Sequence, residues 1–113
     1  LSPLRLTDLS RQLRLSVLDL VYLSGGGHIG GSLSSLDLMI SVYFSKIFNF
    51  PGDHFVLSAG HLCPSLYAVL SAAGYFHPDL LKTYSGYRSP LQGHVSTDVP
   101  GVEYSSGSLG QGL

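Results

Sequence analysis

Three of the five histidines share one setting. His28 stands in GGGHIGG, His61 in SAGHLCP and His94 in LQGHVST, each directly after a glycine. Glycine lets the backbone come close to a ligand. An imidazole beside it can donate or accept a hydrogen bond and exchange protons near neutral pH. Three such residues, on loops that an α/β fold can gather at one end of its strands, form a candidate site for a polar ligand. His54 and His77 lack the preceding glycine and read as ordinary surface or turn residues.

Other chemistries fit less well. Gly25-x-Gly27-x-x-Gly30 satisfies G-x-G-x-x-G, but a dinucleotide site needs a strand before the first glycine and a helix after it. Here a helix is expected before Gly25, and the acidic residue about 20 positions further on is missing from a strand-like context. Neither lysine follows a glycine-rich turn, so there is no Walker A motif. The histidines form no short-range ligand pair such as H-x-x-x-H, which argues against zinc. Cys63 reads as a small apolar residue opening a helix rather than a nucleophile.

The elements that must position these histidines follow from periodicity. Residues 8–23 place Leu9, Leu13, Val17 and Leu20 at three- and four-residue steps, which predicts an amphipathic helix capped by Thr7 or Asp8 and closed by Gly25. Residues 35–48 predict a second, more buried helix, with Ser34 and Asp37 resembling a capping box. NFPGD (49–53) is a turn and HFVLS (54–58) a short strand candidate. Residues 63–76 predict a helix with Pro64 in its first turn, and 77–85 a short one starting at Pro78-Asp79. Residues 86–101 read as a loop, VEYSS (102–106) as a strand candidate, and GSLGQG (107–112) as a turn. Helices alternating with short strands predict an α/β fold in which a parallel sheet is flanked by helices.

Bulk properties narrow the partners. The chain has 113 residues, 44% apolar and 12% charged, with net charge −1; an average soluble domain is about 25% charged. The sparse charge is compatible with a surface covered by something else. The six Lys and Arg form no basic stripe, so nucleic acid is not an expected partner. No apolar run is long enough to cross a bilayer and no signal peptide is visible, so no membrane role is expected and a cytoplasmic location is. A single cysteine excludes an internal disulfide. The start at Leu1 and the close on GSLGQGL, a glycine-rich turn running into an apolar residue, read as a fragment.

The order of the motifs SGGGHIGGSLSSLDL, FVLSAGHLCPSLYAVLSAAGY and LQGHVSTDVPGVEYSSGSLGQGL resembles the N-terminal, diphosphate-binding domain of the transketolases. That family reads S-G-H-P-G, F-V-L-S-x-G-H, G-H-P and T-G-[PS]-L-G-Q-G in the same order and at similar spacing. The wording is most similar to split transketolases, whose N- and C-terminal halves are separate chains. On this resemblance residues 1–113 are the N-terminal portion of the domain, ending before its metal-binding motif.

The resemblance implies thiamine diphosphate with Mg or Ca, and transfer of a two-carbon ketol unit between sugar phosphates, as in the pentose phosphate pathway. The cofactor's thiazolium adds to the donor carbonyl; the protein positions and supplies protons and electrostatics. By similarity, His28 and His94 bind substrate, His94 through the hydroxyl of the transferred unit, and His61 lies beside the cofactor's diphosphate and thiazolium. Gly107, Ser108 and Leu109 belong to the cofactor site. The Gly107 carbonyl accepts from the aminopyrimidine, and Leu109 wedges under the cofactor to keep it bent. The glycines around His28 then form a side-chain-free loop along which a sugar passes.

Departures stand beside these matches. Ile29 and Val95 replace the family's prolines after His28 and His94, and His54 stands where arginine is common. No metal ligand is assigned within this chain. The family's G-D-G cation motif with its downstream Asn, and the glutamate that activates the pyrimidine, lie outside it. The chain alone is therefore expected to be inactive, and to need the C-terminal, pyrimidine-binding half and a second protomer. Alternatives are a dihydroxyacetone synthase, a 1-deoxyxylulose-5-phosphate synthase, or a non-catalytic assembly subunit.

Overall fold

Ser2 and Pro3 begin the first helix. In the computed structural model, which describes residues 2–50, 52–107 and 109, α1 runs Pro3–Ser24. Pro3 takes the first-turn position that needs no amide hydrogen, and the Ser2 hydroxyl accepts from the Arg5 amide at 3.3 Å. The start is five residues earlier than the apolar periodicity predicts, and Ser2 caps in place of Thr7 or Asp8. Gly25 closes α1 as expected, at φ 86°, a left-handed cap that glycine adopts without a Cβ penalty.

α2 runs Ile29–Phe44, beginning six residues before the predicted start. Gly30 and Gly31 thus lie inside its first turn, and the Ser34–Asp37 capping box is not formed. Asp37 instead accepts from Ser10 at 2.5 Å and Arg14 at 2.9 Å across to α1. The Ser10 hydrogen bond, ahead of the Arg14 contact and against some desolvation, holds its carboxyl below the usual aspartate range. α3 runs Cys63–Ala72, following a 3-10 turn at Gly60–Leu62. A second 3-10 turn at Pro78–Thr83 is capped by the His77 side chain, which accepts from the Asp79 amide.

α3 is the central element. Residues 63–71 are all buried, while α1 contributes Leu13, Val17 and Leu20 and α2 contributes Leu36, Met39 and Ile40 to the same core. α2 and α3 cross at Ser32 and Ser65, both fully buried, where the Ser65 hydroxyl donates to the Ser32 carbonyl. Leu91, Val95 and Val99, from the loop after the second 3-10 turn, complete the core. No helix among the described residues is long and apolar enough to cross a membrane.

The expected parallel sheet is not seen. Among the described residues no segment is a strand: 54–58 and 102–106 run as irregular backbone. A strand is defined by the neighbour that pairs its amides and carbonyls, and these two segments meet through side chains instead. The Glu103 carboxylate takes the His54 imidazole at 2.8 Å and the Phe55 amide at 2.5 Å.

Candidate functional site

Each glycine-linked histidine sits where a helix begins or a loop turns. His28 occupies the cap position of α2, exposed and with no side-chain capping bond. Its carbonyl accepts from the Ser32 amide at 3.2 Å. His61 is in the 3-10 turn that runs straight into α3, and is half-buried. The two imidazoles meet edge to face, with centroids 4.9 Å apart and planes at 72°. A Cβ at Gly31 would collide with the Leu62 side chain, so the glycine inside the first turn of α2 lets the His61 turn pack close.

His94 joins them through Gly60. A Cβ on Gly60 would overlap the Ser106 hydroxyl and lie 3.6 Å from His94 Cδ2. The bare α-carbon of Gly60 therefore admits both the His94 ring and Ser106 beside the His61 turn. Gly93 and Gly107, flanking this place, have nothing among the described residues within 4 Å of where a Cβ would stand. The backbone there is open to a ligand. Ser106 Oγ is buried and has no hydrogen-bond partner among the described residues.

The structure thus brings His28, His61 and His94 to one place, with Gly107 one residue beyond Ser106. Leu109 is 66% exposed, a large apolar side chain left unpacked. Ser108 lies outside the described residues. His54 and His77 stay out of the group; His54 pairs with Glu103 and His77 with Asp79. Desolvation pushes the Glu103 carboxyl up, but His54 and the Phe55 amide outweigh it and hold the group below the usual glutamate range.

α1 leads into Gly25 where a dinucleotide fold would need a strand, so that reading falls. The loop of bare glycines shrinks to Gly25–Gly27, since Gly30 and Gly31 are helical. Sequence reasoning passed over Ser106, Tyr67 and the packing function of Gly60. The tyrosine had a signal: a phenol amid the apolar text of 63–76 must find a partner when buried.

A family model described as the transketolase thiamine diphosphate binding domain matches residues 6–113. The chain belongs to this family. It is 36% identical over 111 residues to one subunit of the apulose-4-phosphate transketolase of Phocaeicola vulgatus, covering 92% of this chain and 40% of that subunit. It is 39% identical over 97 residues to the 6-deoxy-6-sulfo-D-fructose transketolase subunit SqwG of Clostridium sp., covering 79% and 35%. Transketolase from Leishmania mexicana superposes with a TM-score of 0.83 at 31% identity, over 95% of this chain and 17% of that one. The chain therefore spans less than half the length of each of these relatives.

The residues present fit thiamine diphosphate. Half-buried His61, the Ser106 hydroxyl, unpartnered among the described residues, and the open backbone at Gly93 and Gly107 offer donors and acceptors without crowding. Among the described residues no group of three or more His, Cys, Asp or Glu could hold a metal ion.

Proposed function

We propose that this chain supplies the diphosphate-binding side of a split transketolase that moves a two-carbon ketol unit between sugar phosphates. The convergence of the three glycine-linked histidines carries the reading, and the likeness to relatives that are themselves transketolase subunits supports a separate C-terminal partner half. When bound, thiamine diphosphate with Mg or Ca supplies the nucleophilic carbon and the electron sink.

The chain's own residues bind and orient. His61, held at the start of α3, donates to the cofactor's phosphate or ring edge. His28, exposed at the start of α2, faces the sugar hydroxyls, and His94 hydrogen-bonds the hydroxyl of the transferred unit. The Gly107 carbonyl accepts from the aminopyrimidine, and the exposed Leu109 side chain packs under the cofactor. A dihydroxyacetone synthase activity uses the same residues and differs in its acceptor.

Calorimetry tests this directly. Thiamine diphosphate with Mg is titrated into the full-length chain alone and into its mixture with the C-terminal half. Binding only in the mixture, weakened at least tenfold by His61→Ala, is the expected result. A folded mixture that binds no cofactor leaves a non-catalytic assembly subunit.

A further inference from the structure

We propose that Tyr67 and Cys63, one turn apart on α3, are positioning residues that set the loop carrying His94 at a fixed height over the His61 turn. This rests on the placement of His94 in the substrate site.

Both side chains are fully buried. The Tyr67 hydroxyl donates to the Gln92 carbonyl at 2.7 Å. The Cys63 thiol reaches the next carbonyl, Gly93, at 3.2 Å and Gln92 at 3.4 Å. On the other side of His94, the Ser106 amide donates to the Val95 carbonyl at 3.1 Å, and Val95 itself is buried. The backbone is thus gripped at 92, 93 and 95, while the imidazole between them stays exposed.

The donors are spent on one short segment. A phenylalanine would fill the core at 67 as well as tyrosine does; the hydroxyl adds the bond to Gln92 and a contact with the neighbouring Cys63 thiol. Tyr84 reinforces the arrangement, its ring edge-on to Tyr67 at 5.9 Å and its hydroxyl 3.9 Å from the Cys63 sulfur. Burial pushes the Cys63 thiol up to about 11, so the S–H remains a donor across the physiological range.

The helix that holds this loop also begins at the His61 turn: Gly60–Leu62 leads directly into Cys63. α3 is therefore a common ruler for His61 and His94. The helix sets the spacing between the cofactor-facing imidazole and the substrate-facing one.

Hydrogen exchange and steady-state kinetics on the full-length chain with its C-terminal half and cofactor test this. Exchange is followed at the Ser85, Gln92 and Ser106 amides, which bond to the Leu91, Pro90 and Val95 carbonyls. In Tyr67→Phe, and again in Cys63→Ala, these amides should exchange about tenfold faster while α1 and α2 keep their protection. The kcat/KM for the ketose donor should fall roughly tenfold with cofactor affinity unchanged, and Cys63→Ser, which keeps a donor, should recover part of both effects.

Unchanged exchange at the three amides in both variants overturns the proposal. So does faster exchange spread equally over α1, α2 and the loop, which would make the pair ordinary core residues. Local loosening with an unchanged kcat/KM overturns the link to His94. A wild-type complex without transfer activity would refute the transketolase reading, and exchange would then decide the anchoring by itself.

Discussion

At the scale of single residues, Glu103 shows how a site is framed by side chains outside it. Its carboxylate binds His54 and the Phe55 amide, joining the segment that leads to Gly60 with the one that leads to Ser106. The group is depressed below its ordinary value of 4.5. A depressed carboxyl contributes stability that is present above its unfolded pKa and lost as pH falls through the lower folded one. The wild-type protein should therefore lose stability as pH falls below the ordinary glutamate value of 4.5, and Glu103→Gln should show a shallower loss there. Acid titration followed by circular dichroism measures both slopes; identical slopes would mean the contact contributes nothing. Cys63 gives the opposite sign. Raised from 9.0 to about 11 by burial, the thiol favours the folded state below pH 9 and that contribution disappears as pH rises toward 11. Alkylation by iodoacetamide at pH 8 should accordingly be slow in native protein and fast after unfolding in urea. Rapid native alkylation would show the thiol to be accessible.

Among the elements, helices were legible where apolar side chains repeat and illegible where glycine hides the reason for itself. The inner stripe Leu13, Val17, Leu20 located α1, and Pro64 correctly marked the first turn of α3. Gly30 and Gly31 carry no helix signal of their own, since glycine in a helix interior costs about 1 kcal/mol relative to alanine. What offsets that cost is tertiary: Leu62 packs where a Gly31 side chain would be. No local pattern announces such a contact. The same holds for Gly101, at φ 94°, whose missing side chain is replaced by the Tyr75 ring and Leu70. Gly101→Ala forces a left-handed alanine against both groups, 2.7 and 2.9 Å from its Cβ. It should destabilise the full chain by roughly 1–3 kcal/mol from overpacking, with a further 1–2 kcal/mol or so from the backbone. Urea unfolding reads the loss, and an alanine variant as stable as wild type would show that the 95–106 loop can move away. Leu36→Ala, in the fully buried stripe of α2, should cost about 2–5 kcal/mol without displacing these loops.

For the whole molecule, the sequence patterns located the three histidines but not the sheet. Glycine-linked histidines carry their setting with them, whereas a strand at 54–58 or 102–106 depends on which neighbour pairs with it. Among the described residues no neighbour does so. The same dependence governs the cofactor. On the proposed function His61, Ser106 and Gly107 would offer one side of a cofactor pocket, and the chain spans 40% of the Phocaeicola vulgatus relative. If a second half completes the pocket, thiamine diphosphate stabilises the folded state only where both halves are present, because a ligand stabilises by binding the native form alone. At a cofactor concentration about a hundredfold above its dissociation constant, that linkage amounts to about 2.7 kcal/mol. The mixture of full-length chain and C-terminal half should then melt several degrees higher with thiamine diphosphate and Mg than without. The chain alone should not respond, and His61→Ala should reduce the shift in the mixture. A shift of equal size in the chain alone would mean that this half closes its own site. The partner's contribution would then lie in the chemistry rather than in binding, and the order of assembly would reverse, with cofactor preceding partner.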